Sequence, residues 1–376
     1  MYDVAVIGAG INGASIAYEL TQAGKRVLVL EREAVAAGGS GAAGAFISPK
    51  FSKAGELKAL IEEAFLYSLD FYSKNFPEAF RAAKLLHIAK DEKDDALLQA
   101  FKAKTTLPLL EVTDAELSSL TQAARAREHI SLQAGVVDAK AVCESMLVGV
   151  DVVFEALKHF SKEDGGWRLN GIYRAKEIVF ATGAYEPVYE EPYIELRGVW
   201  GHRIDVLGSR KSNLSIHQFV SISPSSDDGS FAIGATHNVH YHPQKTKESY
   251  DIEAGRAELL EKAERTLEVG DVTIVKDYMG LRSGSFDYLP IIGALVDTKR
   301  SLEKGTKAYR VKKQDYAKFS YHEGLYMING SGGYGFVLAP LLAKMLREHM
   351  LQKQPIAKQL TPARFFGRWV KRYAPL

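Results

Sequence analysis

The most restrictive feature of this chain lies in its first 31 residues. Tyr2 to Ile7 is a short apolar run suited to a buried strand, and Gly8-Ala9-Gly10-Ile11-Asn12-Gly13 turns from it into a helical run, Ala14 to Ala23. Lys25 to Leu30 reads as the next strand and ends at Glu31. In such a unit Gly8 permits the tight turn, Gly10 lets backbone N–H groups approach a pyrophosphate, and Gly13 lets the helix pack closely on the strand. An acid about 20 residues into the unit is placed to accept hydrogen bonds from ribose hydroxyls. A glycine fingerprint alone also occurs in purely structural turns. Here strand, turn, helix, strand and acid stand in the required order, which points to dinucleotide binding.

Two further strand-and-glycine units suggest which dinucleotide. Ala175 to Phe180 reads as a strand running into the small-residue turn Ala181-Thr182-Gly183-Ala184, where backbone can pass close to a ligand. Leu325 to Asn329 reads as a strand, Gly330-Ser331-Gly332-Gly333-Tyr334-Gly335 as a glycine turn, and Val337 to Met350 as an apolar helix. The positive end of that helix would favour the negative charge that builds on a reduced flavin ring. A loop that is glycine-rich only for flexibility is the competing reading. A nicotinamide-only fold does not call for these extra units, so FAD is the expected cofactor.

Composition removes several other classes. The 376 residues suffice for two interlocked cores. Cys143 is the only cysteine, so intramolecular disulfides and cysteine-based metal clusters are excluded, and because it sits in a helical stretch outside the glycine motifs a covalent flavin link is not expected. The apolar start carries Asp3, lacks a preceding basic stretch and is broken by glycines, unlike a signal peptide. With no run of about 20 uninterrupted apolar residues, no membrane span is expected and cytoplasm is the default. The cluster His237, His240, Tyr241 and His242 lacks a carboxylate or cysteine at ligand spacing, so it reads as a polar wall or surface loop and not as a metal site.

GAGINGAS with Glu31, the Gly38–Phe46 stretch GGSGAAGAF, VFATGAY, GLRSGSFDYLPIIG and the last glycine turn together resemble the D-amino-acid-oxidase superfamily over nearly the whole chain. Within it, Ser40 to Pro49, Ser52, Lys53, the run reaching Phe71, Tyr72 and Pro77, Ile233-Gly234-Ala235-Thr236, and Trp369, Val370 and Lys371 most resemble the FAD-dependent half of MnmC, the tRNA 5-methylaminomethyl-2-thiouridine biosynthesis protein. The resemblance implies an α/β, Rossmann-like FAD-binding domain interleaved with an antiparallel-sheet α+β substrate domain, as in glycine oxidase. The expected division assigns 1–78, 134–200, 280–298 and 320–376 to the first, and 79–133, 201–279 and 299–319 to the second with a basic insertion. A helical, charge-rich segment from about Glu78 to Glu128 and a β-prone region from Val199 to Thr236 fit such interleaving.

The resemblance also implies site residues. FAD would be held, without a covalent bond, by Gly8, Ala9, Gly10, Ile11, Asn12, Gly13, Glu31 and Arg32, by Gly39, Ser40, Gly44 and Ala45, and by Val153, Ala181, Thr182 and Gly183. Arg282, Gly330, Gly332, Gly333, Tyr334, Gly335 and Phe336 would complete the set. Arg282 matches the family arginine that forks onto the substrate carboxylate, a geometry a lysine reproduces poorly. An ordinary arginine more often makes a salt bridge between domains. Lys53 matches a family position near the flavin and is equally readable as a surface lysine. Where relatives often carry a second arginine, this chain has Gly332 and Gly333, with Tyr334 and Phe336 beside them as aromatic walls. No general base is identifiable among His202, His237, His240 and His242.

The implied reaction is oxidation of an amine bearing a glycyl carboxylate, with dioxygen as final acceptor. The resemblance places it on the carboxymethylaminomethyl group of the tRNA wobble uridine; free glycine, sarcosine or a D-amino acid is the alternative. With no methyltransferase half ahead of the first strand, methylation on this reading would be performed by a separate protein or not at all. A flavin-bearing subunit without oxidase turnover is a third reading. Charge bears on the choice. Residues 299–318 hold eight basic residues (Lys299, Arg300, Lys304, Lys307, Arg310, Lys312, Lys313, Lys318) against Glu303 and Asp315, a net of +6. Residues 353–376 add Lys353, Lys358, Arg364, Arg368, Lys371 and Arg372 without an acid, another +6, in a chain whose total is +2. Tyr309, Tyr316, Phe365, Phe366, Trp369 and Tyr373 are interspersed and could stack on bases. Such segments suit a phosphate backbone and are also what a solvated loop and a basic tail look like.

Overall fold

A computed structural model describes residues 1–185, 189, 191–304 and 314–372. Two eight-stranded sheets organise it. In the first, the order is Ile291–Val296, Tyr321–Asn329, Tyr173–Phe180, Tyr2–Ile7, Val27–Glu31 and Asp151–Phe154, and only Ile291–Val296 runs against its neighbour along this path. A hairpin, Phe160–Glu163 with Gly166–Leu169, joins the flank of Tyr173–Phe180. Val4, Ala5, Val6, Leu28, Val29, Ile178 and Val179 are almost fully buried, as strands covered on both faces must be. One face packs on helices Ile11–Gln22, Glu56–Asn75, Ala139–Met146 and Gly335–Gln352. On the other face a second core gathers the hairpin and the C-terminal helix Ala363–Arg372.

The second sheet runs Val272–Ser285, Leu196–Gly208, Ser230–Gly234, Ser221–Ile222, Leu214–His217, Phe80–Ile88, His129–Val137 and Phe46–Ile47. It is antiparallel except where Leu214–His217 pairs with Phe80–Ile88. Its longest pair, Leu196–Gly208 with Val272–Ser285, sets Arg282 opposite Val199 and Gly280 opposite Gly201. Helix Ile252–Glu264 covers one of its faces through Leu259 and Ala263.

Sheet membership departs from the sequence reading at several points. The stretch from Glu78 to Glu128 is not helical throughout, because it begins with the nine-residue strand Phe80–Ile88. Its alanines and lysine favour a helix locally, but nine residues of pairing with His129–Val137, some 50 positions away, override that preference. The expected domain boundaries at 134, 200 and 280 fall inside strands of the second sheet.

The C-terminal basic segment is not a loose tail. Ala363–Arg372 is an amphipathic helix whose Phe365 and Phe366 are 4% and 0% exposed in the second core, so neither can stack on a base. Arg364, 5% exposed, donates Nε and Nη2 to the two Asp287 oxygens at 3.0 Å each and Nη2 also to the Leu289 carbonyl at 2.8 Å. Trp369 and Tyr316 are partly buried against the same core. Arg368, Lys371 and Arg372 remain exposed. Lys307, Tyr309, Arg310, Lys312, Lys313 and Tyr373 lie outside the described residues.

Burial raises the Asp287 carboxyl, but its hydrogen bonds and charge contact with Arg364, with help from Ser285 and Arg368, outweigh that and hold it below the ordinary carboxylate value. A depressed carboxylate stabilises the fold above its unfolded pKa, and that contribution is lost as pH falls through the lowered value. Arg364→Ala is expected to destabilise the flavin-loaded protein by about 2–3 kcal/mol in urea unfolding at pH 7. That is less than a fully buried pair would cost, because Arg368 stays beside Asp287. The difference from the parent should shrink in acid.

Candidate active-site cleft

Backbone chemistry builds the cleft from its closed end. The first strand stops at Gly8, whose φ of +106° is open to glycine, and a Cβ there would stand 2.6 Å from the Ala181 carbonyl oxygen. Helix Ile11–Gln22 then leans so far onto the turn that a Cβ on Gly13 would lie 1.9 Å from the Gly8 oxygen. The helix therefore points its N-terminus, with its positive dipole end, into the space beyond the strand. The Ile11 N–H donates to Ser40 Oγ at 2.9 Å. Glu31 closes the turn from the second strand, accepting the Ala9 N–H at 2.8 Å and the Glu33 N–H at 2.9 Å.

The last glycine turn meets the first. Ser331 Oγ donates to Asn12 Oδ1 at 3.1 Å, and Asn329 Nδ2 donates to the Gly183 carbonyl at 2.9 Å. All three glycine units thus surround one cleft of about 850 Å³, with the N-termini of Ile11–Gln22 and Gly335–Gln352 both at its wall. Two anion-favouring helix ends on one elongated cavity, with a hydrogen-bonded acid at one end, fit a dinucleotide cofactor.

Most of the expected residues line this cleft. Gly8, Gly10, Ile11, Asn12, Glu31 and Arg32 form one part, and Gly39, Ser40, Gly44 and Ala45 another. Ala181, Thr182 and Gly183 stand with Arg282, Gly332, Gly333, Tyr334, Gly335 and Phe336. Ala9, Gly13 and Gly330 lie behind the wall and shape it. Val153 is paired to Leu30 within the sheet, and Ala156 and Leu157 reach the cleft in its place. Lys53 is exposed and outside the lining. Phe336 is 4% exposed and packs into the main core, so it is less an aromatic wall than a core residue. Cys143 is fully buried in that core, away from the lining.

Arg282 occupies the far end, on the second sheet. It donates Nη1 to the Thr236 carbonyl at 3.0 Å and lies over Gly201, where a Cβ would come within 2.6 Å of Nη2. Among the described residues no carboxylate pairs with it, so the inter-domain salt bridge that the sequence left open is absent there. Arg197 and His237 line the same end. Burial first, then the charges of Arg282, Arg197 and Lys262, push His237 below the usual imidazole value. This end of the cleft is therefore cationic and suited to a carboxylate. Burial raises the Tyr334 hydroxyl to about 12, keeping it protonated, and the Lys50 ammonium lies 5.3 Å from its ring. His202 lies elsewhere, fully buried between Tyr250 and Asp277.

Sequence reasoning missed Arg197, Tyr185, His217 and Tyr288, all on the lining. Tyr185 closes the stretch VFATGAY and Tyr288 lies within GLRSGSFDYLPIIG, although neither motif marks its tyrosine for the cleft; Arg197 and His217 belong to no such motif, and strand pairing brings them in. His217 sets its ring edge to Phe46, and His87 stacks on Phe51 at 4.1 Å. The Nε2 of His217 and the Nδ1 of His87 are buried without a hydrogen-bond partner among the described residues.

A family profile described as FAD dependent oxidoreductase, DAO, matches residues 3–349. The bifunctional protein MnmC of Shewanella amazonensis, named for tRNA 5-methylaminomethyl-2-thiouridine biosynthesis, is 26% identical over 408 residues, which cover 98% of this chain and 60% of that protein. The chain thus spans about 60% of the length of that curated relative. Among solved structures, glycine oxidase from Bacillus cereus superposes with a TM-score of 0.72 at 20% identity, over 94% of this chain and 96% of that one. L-proline dehydrogenase from P. horikoshii gives 0.74 at 17% identity, over 97% and 98%. At such identities the likeness is one of fold. No described helix is long and apolar enough to cross a membrane.

Burial pushes His217 down to about 4, and burial with the nearby His217 and Lys90 pushes His87 down to about 3. Both histidines bind a proton more readily when unfolded, so the stability they give is complete above pH 6.5 and falls as pH drops toward 4. The expected slope approaches about 1.4 kcal/mol per pH unit for each histidine. Urea midpoints measured from pH 7 to pH 4 should show this loss, and a His87→Gln/His217→Gln variant should show a flatter profile.

Proposed function

The chain belongs to the DAO family of FAD-dependent oxidoreductases, and on that footing we propose that it oxidises a secondary amine bearing a glycyl carboxylate, removing the carboxymethyl group from 5-carboxymethylaminomethyl-uridine at the tRNA wobble position. The observation that carries the proposal is Arg282: a guanidinium held by one backbone carbonyl, without a carboxylate partner among the described residues, at the cationic end of the cleft. The tRNA part rests on the MnmC relatives, which match 98% of the chain, and on the exposed basic side of the C-terminal helix.

In this reading the turn Gly8–Gly13 and the start of helix Ile11–Gln22 would hold the cofactor's pyrophosphate, Glu31 its ribose, and the Gly332–Gly335 turn its ring system. Bound FAD supplies the two-electron acceptor, regenerated by dioxygen with release of peroxide. Arg282 forks onto the substrate carboxylate and fixes which C–H faces that acceptor, while Arg197 adds positive charge beside it. His237, kept neutral, can accept a hydrogen bond from the amine. Tyr334, kept protonated, donates and does not take a proton. Loss of two electrons and one proton from the N–CH2 unit leaves a protonated imine, an iminium; water adds to its carbon and passes both its protons to the nitrogen, the C–N bond breaks, and glyoxylate leaves while the aminomethyl group, as its ammonium, stays on the uridine. Lys53 is assigned no role.

The second reading, oxidation of free glycine, sarcosine or a D-amino acid, uses the same carboxylate anchor and is separated by substrate. Peroxide release from the yellow protein should be confined to tRNA carrying the modified base and should weaken with salt. Turnover on the free amines alone would establish the second reading. Arg282→Ala should retain flavin absorbance and lose about 100-fold or more in kcat/KM, with Arg282→Lys recovering only part. An unimpaired Arg282→Ala enzyme would remove the anchor.

A further inference from the structure

Two large aromatic side chains near the cleft mouth have no place in the chemistry described. Phe286 and Tyr288 are 54% and 65% exposed, an arrangement that costs burial energy for no packing return. Tyr288 also holds a φ of +65°, a conformation that a bulky residue adopts only against steric strain. Arg197 reaches it from the neighbouring strand: its guanidinium lies 5.2 Å from the ring centroid, and Nη1 donates to the hydroxyl at 3.2 Å. Both Arg197 and Tyr288 line the cleft that ends at Arg282.

The residue between the two aromatics is Asp287, and it ties this turn to the C-terminal helix. Besides its two bonds to Arg364, Asp287 is paired with Arg368 at 3.1 Å. Arg368 remains half exposed, and Lys371 and Arg372, three and four positions on, lie on the same side of the helix in solvent. A positively charged helix face therefore begins one ion pair away from an exposed aromatic turn at the mouth of the cleft. A small amino acid has no phosphate to place on such a helix face.

We propose that Phe286 and Tyr288, with Arg197 against the Tyr288 ring, form a stacking platform for a nucleobase next to the one being modified, and that Arg368, Lys371 and Arg372 hold the phosphates of the same RNA strand. The inference rests on the tRNA reading above and adds to it the surface that receives the RNA. The chemistry agrees with the occupant. Every base offers a planar π-face to aromatic and guanidinium groups, and a phosphate chain complements a row of cations.

The test uses the flavin-loaded protein and a fluorescein-labelled anticodon stem-loop carrying 5-carboxymethylaminomethyl-uridine, with sarcosine as the small amine. Tyr288→Gly is the informative variant, because glycine adopts a φ of +65° freely and the fold should be kept, as retained flavin and an unchanged or raised melting temperature would confirm. It should weaken stem-loop binding by about 5- to 150-fold without changing the slope of log Kd against log salt, and Phe286→Ala should act in the same direction. Tyr288→Trp should retain affinity. Replacing Arg368, Lys371 and Arg372 by Gln should instead reduce the salt slope by about 2. If the unaltered protein binds and oxidises the stem-loop while Tyr288→Gly and Phe286→Ala bind it equally well, the platform is wrong and the tRNA reading stands. If the unaltered protein oxidises sarcosine and ignores the stem-loop, the tRNA reading falls and takes the platform with it.

Discussion

Everything at the cofactor end depends on one contact, the packing of Gly13 against the Gly8 carbonyl. With no side chain between them, helix Ile11–Gln22 settles onto the first turn and presents its N-terminus to the cleft. The same approach leaves Asn12 within reach of Ser331, which draws the last glycine turn to the first across more than 300 residues of chain. A methyl group at Gly13 would push the helix away and separate two anion-favouring helix ends that now face one cavity, and one at Gly8 would strike the Ala181 carbonyl of the neighbouring turn.

The opposite wall answers to a different constraint. Arg282 can lie over the second sheet only because Gly201, its diagonal neighbour across the strand pair, has no side chain. The guanidinium is thereby buried beside Arg197, and two cations on one wall make that end of the cleft a site for an anion. The two sheets divide the work between them: the parallel one carries the turns that suit FAD, and the antiparallel one carries the cations that suit a substrate carboxylate. The C-terminal helix joins the two concerns, since Arg364 anchors it under the first sheet while its Asp287 partner sits in the turn that edges the cleft.

That helix also shows why charge counting misleads. Six cations without an acid in the last 24 residues look like a solvated tail. Yet Phe365 and Phe366 are anchored in a core, Arg364 is neutralised by an acid 77 positions earlier, and only one side of the helix is left to meet a partner. The partner that neutralises a charge is set by tertiary packing, and a linear sum cannot register it.

The sequence by itself determined the parts whose physics is local. The strand, turn and helix units at Tyr2–Gln22, Tyr173–Gly183 and Tyr321–Gln352 were legible because buried strands, glycine turns and apolar helices leave their pattern within a few residues. The glycines, Glu31 and Arg282 could be named for the same reason, through motifs that need particular backbone or charge at fixed spacing. Only the tertiary structure decided the rest. Phe80–Ile88 is a strand because of a partner 50 residues away, and Arg197 and His217 reach the cleft through pairings between distant segments. Val153 misses the cleft for the converse reason: Ala156 and Leu157 just after it line the wall, but pairing with Leu30 keeps Val153 within the sheet, while Lys53 lies on an exposed stretch beyond Ser48, where its segment has left the lining. Proximity in space follows from register and packing over long separations, and no local pattern of residue types records it.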